Sequence, residues 1–290
     1  MYHSPLRYPG GKTKITPLVS KIIEGTGIRE CTYIEPFAGG AGVALSLLFN
    51  GKADRIVIND YDKAVYSFWR AVKEDGDELI QMIEETPITI DEWLNQKRIF
   101  YRRSNNYSVD LAFSTFFLNR TNRSGIMNAG PIGGYSQTGN YKIDARFNKV
   151  DLIKRIRKIM EYRDFIHVYN KDIIKFIKLI YPKFSDDAFI YFDPPYYNKG
   201  KDLYKNFLDA SDHKRISQSI IENVHSDWIV TYDRCDEILD IYSDLPKAYF
   251  DLNYSLANNG KGTEVLIMKN PSYLPEQEEL KRIGFDMKLN

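Results

Sequence analysis

Residues 189–201 read FIYFDPPYYNKGK, an apolar run stopped by Asp193, Pro194, Pro195 and Tyr196. The run has the composition of a buried strand. Proline at 194 biases Asp193 toward an extended backbone, and Pro194 and Pro195 have restricted φ and no N–H to donate. The strand end is therefore stiff and offers acceptors only. The Asp193 carboxylate and the Pro194 carbonyl can together accept both hydrogens of an amino group, while Tyr196 or Tyr197 stacks on the ring that bears it. Those parts suit methylation of a nucleobase amine, a poor nucleophile because its lone pair is delocalised into the ring. Two converging acceptors draw the nitrogen toward tetrahedral geometry and stabilise the charge that develops as it attacks a sulfonium methyl. Taken alone, the tetrapeptide also fits a plain loop start, since aspartate and proline both end strands.

A second group of residues suits a nucleoside ligand. In IEPFAGGAG, Ile34 to Gly42, a short strand gives way to a glycine turn that opens a helix. Gly39, Gly40 and Gly42 let backbone approach a ligand closely. The turn does not fit the dinucleotide pattern G-x-G-x-x-G, which weakens a pyrophosphate reading. Asp60 ends the next strand, twenty residues past Gly40, where an acid can accept both ribose hydroxyls. The pair points to a nucleoside cofactor without phosphates, although each feature alone also fits a packing turn and a helix N-cap. YPGGKT, Tyr8 to Thr13, is not a phosphate loop, because position 6 is leucine and no strand precedes it. A lysine opposes the dipole at a helix start, so Lys12 belongs there only if it meets an anionic group such as a carboxylate.

These groups must be carried by elements that bring them together. The strands Thr32 to Glu35 and Arg55 to Asn59 flank a helix with Val43, Leu47 and Leu48 on its apolar face. From Lys63 to Arg123 the pattern is helical, with Val109, Ala112, Phe113, Phe116 and Phe117 on one buried face. Gly125, Gly130, Gly133, Gly134 and Gly139 then crowd together with Pro131, predicting loop and hairpin. Strand and helix alternate again afterwards: FIHVYN, a helix from Asp172 to Ile180, AFIYFD, HKRISQSIIENV, WIVTYD, and the terminal strands KAYFDL and TEVLIMK. The layout predicts an α/β sheet interrupted by one helical insertion, residues 66–148, with residues 1–65 and 149–290 forming the catalytic domain.

Composition excludes little and forbids some readings. Forty basic residues stand against 39 acidic ones, so nucleic-acid affinity has to come from local patches. Two cysteines and four histidines show no metal-site spacing, and no metal is expected. The longest apolar segment, Ala41 to Phe49, is too short to span a bilayer, and the N-terminal residues carry no signal-peptide core. A soluble cytoplasmic protein with no membrane partner is expected. The 21 tyrosines suit base stacking and suit a tyrosine-rich core equally well.

Taken together, LRYPGGK, IEPFAGGAG, VINDYD and YFDPPY resemble, in content and order, the motifs of the Dam-type DNA adenine methyltransferases. The resemblance covers nearly the whole chain. It implies a Rossmann-like methyltransferase sheet with an inserted, mostly helical target-recognition domain containing a Gly-rich hairpin. It implies S-adenosylmethionine as cofactor, double-stranded DNA as partner, and a flipped-out adenine as target. By the same resemblance Tyr8 and Lys12 contact the methionine end of the cofactor, Asp60 its ribose, and Asp172 with Ile173 its adenine ring. Glu35, Phe37, Ala38, Gly39, Gly40 and Gly42 form the cofactor loop. Asp193 lies between cofactor and target amine, with Pro194, Pro195 and Tyr196 completing the catalytic motif.

The insertion departs from the GATC-methylating members, a difference that bears on the target sequence and not on the reaction. Asn119, Arg120, Asn122, Arg123 and Ser124 are residue types that read base edges or hold phosphates, and they also suit a helix cap and turn. Lys154, Arg155, Arg157 and Lys158 read as a solvated helix face. Asn258, Asn259 and Gly260 read as a turn near the catalytic face. Methylation of a cytosine amine is the nearest rival, with serine the expected residue at position 193. A silent DNA-binding regulator and a protein-amide methyltransferase are further alternatives. A restriction endonuclease of the same specificity is a possible partner.

Overall fold

In the computed structural model, which describes residues 3–7, 12–102, 107–197, 208–253 and 261–289, alternate strand residues divide the core in two. Tyr33, Ile56, Ile58, Phe189, Tyr191, Ile229 and Leu266 pack on one face of the sheet. Ile34, Val57, Ile190, Phe192, Trp228, Val230 and Ile267 pack on the other. Near-continuous apolar strands are what a sheet covered on both sides requires.

The strands are β1 (Thr32–Glu35), β2 (Arg55–Asn59), β3 (Ile166–Tyr169), β4 (Ala188–Phe192), β5 (Asp227–Asp233), β6 (Lys247–Asn253), β7 (Lys261–Met268) and β8 (Lys288–Leu289). They lie in the order β3-β2-β1-β4-β5-β7-β6-β8. The first five are parallel, with Thr32 opposite both Arg55 and Ala188. β7 enters antiparallel between β5 and β6 and sets Glu264 opposite Asp233. The seven strands expected from sequence are all present. The helices Thr16–Thr26, Asp236–Ile241 and Gln277–Arg282, and the strand β8, were not anticipated.

Between β2 and β3 stand α3 (Lys63–Glu74), α4 (Gly76–Glu85), α5 (Ile90–Tyr101), α6 (Val109–Thr121) and α7 (Lys149–Glu161). The expected boundary at residue 66 falls inside α3, whereas residue 148 is the N-cap of α7, its side chain accepting from the Asp151 amide at 3.2 Å. α6 buries nearly its whole circumference rather than one face. Phe116 stacks on Phe68 of α3 with centroids 5.7 Å apart. Phe68, Trp93, Phe113 and Phe116 belong to the same apolar cluster as Tyr33 and Phe189, so the insertion and the sheet share one core.

The glycine-rich segment is not a hairpin. Its β pairing is a single bridge between Asn122 and Pro131. Gly133, Gly134 and Gln137 adopt positive φ (82°, 76° and 51°), which breaks any ladder. The Gln137 amide then does what a partner strand would do. It donates to the carbonyls of Ile132 (2.8 Å) and Gly134 (2.6 Å) and accepts from the Ile143 amide (2.8 Å).

Candidate active site

The sheet reverses its winding direction between β1 and β4, and ligands of open α/β sheets bind outside the C-terminal strand ends at such a point. Glu35 ends β1, Asp60 follows β2 and Asp193 follows β4. All three acids therefore issue from one edge.

On the β1–β2 side, Asn59 ties the loops together. Its buried amide donates to the carbonyls of Pro36 and Lys171, both at 3.0 Å, and accepts from the Lys171 amide at 2.8 Å. Asp60 receives the Gly39 amide on one oxygen (2.9 Å) and the Asp62 amide on the other (2.8 Å). Burial, with nearby Asp62, pushes its carboxyl up to about 7. Glu35 receives the Ala44 amide at 3.1 Å, and burial pushes its carboxyl up to about 8. Gly39 has φ 46° and gives its carbonyl to the Trp69 indole at 2.8 Å. Gly42 lies so close to Thr13 that an added Cβ would sit 2.3 Å from the threonine hydroxyl. That approach fastens α2 (Gly42–Phe49) to the turn Lys12–Ile15. Phe37, Tyr169 and Ile173 pack in the apolar cluster of the second face, and Asp172 caps α8 (Ile173–Leu179) through the amides of Ile174 and Lys175.

On the β4 side a buried charge cluster surrounds Asp193. Lys12, 6% exposed, places Nζ 3.1 Å from Asp193 Oδ1 and 2.9 Å from Glu264 Oε2. Burial works against its ammonium, yet the two carboxylates outweigh it and raise the lysine above its ordinary value. Glu264 accepts the Tyr196 hydroxyl on Oε1 at 2.8 Å, and burial holds its carboxyl above the usual range against the pull of Lys12. Thr231 donates to Asp193 Oδ1 at 2.8 Å. The Tyr191 hydroxyl lies 2.7 Å from Thr231 Oγ1 and must donate to it, since the threonine proton is already engaged. Asp193 Oδ2 has no hydrogen-bond partner among the described residues. Tyr196 is buried with Lys12 Nζ 5.0 Å from its ring centre. Tyr197 is half-buried, its amide donating to Asp233 at 3.1 Å and its ring 5.1 Å from His213.

The residues expected at DNA divide sharply. Asn119 accepts from the Arg7 amide (2.7 Å) and donates to the carbonyls of Arg7 (2.7 Å) and Gly125 (3.1 Å). Asn122 accepts from the Trp93 indole (2.6 Å) and donates to Ile126 (2.9 Å) and Met127 (3.1 Å). Both are buried with both amide hydrogens spent, so they brace the insertion and have no donor left for a base edge. Arg120 is half-buried against the carbonyls of Arg146 (2.7 Å) and Pro5 (3.4 Å). Burial, with Arg7, Arg155 and Arg146 nearby, pushes its guanidinium down to about 10. Arg123 and Ser124 are exposed, Ser124 at φ 56°. On α7, Arg155, Arg157 and Lys158 pair with Asp151, Glu84 and Glu161, as a solvated face should. Tyr8, Asn258, Asn259 and Gly260 lie outside the described residues.

A family model described as D12 class N6 adenine-specific DNA methyltransferase matches residues 8–256. The chain belongs to that class. Among curated relatives, it is 28% identical over 210 residues to the type II methyltransferase M.MjaIII of Methanocaldococcus jannaschii, covering 66% of this chain and 68% of that one. It is 24% identical over 281 residues to the type II methyltransferase M.CviBI of Paramecium bursaria Chlorella virus NC1A, covering 91% and 98%. Among solved structures, the rRNA methyltransferase aviRa of Streptomyces viridochromogenes aligns over 96% of this chain and 90% of its own, with a TM-score of 0.39 at 9% identity.

The D12-class methyltransferase is an enzyme that methylates N6 of adenine in DNA using S-adenosylmethionine. The residues at these strand ends fit that cofactor. Asp60 has an acceptor position left on each oxygen and no cation paired with it among the described residues, which suits two hydroxyl donors. No helix of the described residues is long and apolar enough to cross a membrane, and no metal-ligating cluster occurs among them. Motif reading missed Glu264, Thr231 and Asn59. A signal for Glu264 existed, because one acid inside the apolar run TEVLIM demands a buried partner.

Proposed function

We propose that Asp193 and the Pro194 carbonyl receive the N6 amine of an adenine flipped out of double-stranded DNA, within a specific recognition sequence. The carrying observation is the asymmetry at Asp193. One oxygen is clamped by Lys12 and Thr231, and the other, at the sheet's switch point, has no partner among the described residues. That second oxygen and the Pro194 carbonyl accept the two amine hydrogens, turn the nitrogen lone pair out of the ring, and stabilise the charge that grows on it. Pro195 keeps the strand end stiff, and Tyr196 walls the site beside Lys12. S-adenosylmethionine, when bound, would supply the electrophilic methyl, its sulfonium–methyl bond breaking to leave S-adenosylhomocysteine while the methylated amine gives up its surplus proton. Asp60 takes its ribose hydroxyls, Lys12 and Tyr8 its methionine end, Asp172, Ile173 and Phe37 its adenine ring, and the 35–42 loop its backbone contacts. Arg123 and Ser124 are the exposed members of the expected DNA-facing set, with Arg120 behind them.

The Asp193→Ala variant should lose methyl transfer by about 10³-fold or more while keeping measurable DNA binding. Single-turnover methylation beside a filter-binding assay checks it, and unchanged turnover would refute the acceptor role. Mass analysis of nucleosides from treated DNA should show N6-methyladenine, and N4-methylcytosine alone would overturn the choice of base. The same reading has the protein act in the cytoplasm and pair with a restriction endonuclease of the same specificity, and the type II designation of its relatives supports the pairing. Modification-sensitive sequencing of a methylation-free host expressing the protein would define the site to be compared with that nuclease.

A further inference from the structure

Glu264 touches two groups of the site at once. Its Oε2 lies 2.9 Å from Lys12 Nζ, its Oε1 accepts the Tyr196 hydroxyl at 2.8 Å, and its side chain is 2% exposed. It stands in β7 beside the buried Val265, Leu266 and Ile267, where packing alone would select an apolar residue. A buried carboxylate without partners costs several kcal/mol, roughly, so Glu264 is retained there by what it binds.

We propose that Glu264 is a positioning residue for methyl transfer, holding the Lys12 ammonium and the Tyr196 hydroxyl around Asp193 and keeping the cluster net negative. The proposal rests on Asp193 being the acceptor of the target amine. Lys12 paired with Asp193 alone would form a neutral couple, with little attraction for positive charge growing on the amine nitrogen. A second carboxylate leaves one net negative charge beside Lys12 and Glu264, whose side chains are 3% and 2% exposed, and charge so buried is weakly screened. The same carboxylate takes the ammonium at 2.9 Å while Asp193 Oδ1 takes it at 3.1 Å, so Lys12 is shared between the two acids. Among the described residues, the groups that face Lys12 are Asp193 at the end of β4, Glu264 on β7 and the Tyr196 ring. Asp233, opposite Glu264 in register, is engaged by the Tyr197 amide.

The test compares the full-length wild type with Glu264→Gln in single-turnover methylation of duplex DNA, with cofactor and DNA affinities measured separately. The rate should fall about 10²-fold, the cost typical of a displaced reacting group, while both dissociation constants stay within about threefold. The alkaline limb of the rate profile should move to lower pH, because Lys12 has lost one of the two carboxylates that hold its proton. Glu264→Asp keeps the charge on a shorter arm and should recover part of the rate and return the alkaline limb. A wild-type rate in Glu264→Gln, a loss confined to a dissociation constant, or an unmoved alkaline limb overturns the proposal. If circular dichroism shows that Glu264→Gln does not fold, Glu264→Asp and Tyr196→Phe decide. Each must then slow the single turnover with affinities unchanged, and wild-type rates in both overturn it. Asp193→Ala in the same assay separates the two assignments. A wild-type rate there removes the acceptor role itself, whereas loss there without loss in Glu264→Gln removes only the role of Glu264.

Discussion

At the scale of single residues, two carboxyls at the strand ends, Asp60 and Glu35, hold their protons to higher pH than ordinary carboxyls do. Asp60 is pushed up to about 7 and Glu35 to about 8, in both cases chiefly by burial. An acid raised on folding keeps a proton that the unfolded chain has released, so stability falls as pH rises from the unfolded value to the folded one. The ligand-free protein should therefore melt at progressively lower temperature from about pH 5 to about pH 8. Glu35→Gln should flatten the slope, which scanning calorimetry across that range would measure. Cofactor binding should run the other way. The charged form of Asp60 is the better acceptor for hydroxyls, so affinity for S-adenosylmethionine should weaken as pH falls below about 7. Asp60→Asn should bind more weakly, by about tenfold, and lose that dependence in isothermal titration.

At the scale of elements, the strands and the chemical motifs were legible because each is local. A four- or five-residue apolar run bounded by polar residues can be read without knowing its neighbours. Partners far along the chain could not be read. Asn119 and Asn122 have the composition of base readers, and only the packed insertion reveals that their hydrogens go to backbone carbonyls. The hairpin expectation failed for a related reason, since Gln137 satisfies backbone groups that composition assigns to a paired strand. The junction of α2 with the Lys12 turn tests how tightly one element fixes another. Gly42→Ala should destabilise by about 1–3 kcal/mol, because its methyl meets the Thr13 hydroxyl at 2.3 Å. Adding Thr13→Ala removes that atom and leaves the better helix former at position 42. The double variant should regain most of the loss in chemical denaturation, a non-additive pair in contact.

At the scale of the whole molecule, the helices of the insertion share one apolar cluster with one face of the sheet and with the helices Thr16–Thr26 and Gly42–Phe49. Cooperative unfolding follows from that continuity. Three tryptophans sit where they can report it: Trp69 and Trp93 in the insertion and Trp228 on β5. Variants retaining only Trp93 or only Trp228 should show coincident denaturation midpoints by fluorescence, once each is referred to its own stability by circular dichroism. Separated midpoints would mean that the inserted helices unfold on their own.

The placement of Glu264 on β7 also has a bearing on synthesis. Lys12 and its second carboxylate are 252 residues apart, and chains grow N-terminus first at about 5–20 residues per second. For something like 10 to 50 s a growing chain carries the lysine, and later the aspartate, without the strand that completes the cluster. Because β7 lies between β5 and β6, the sheet itself also stays open at that edge until then. Assembly of the charge cluster is in this way a late event, tied to arrival of the strand that closes the middle of the sheet.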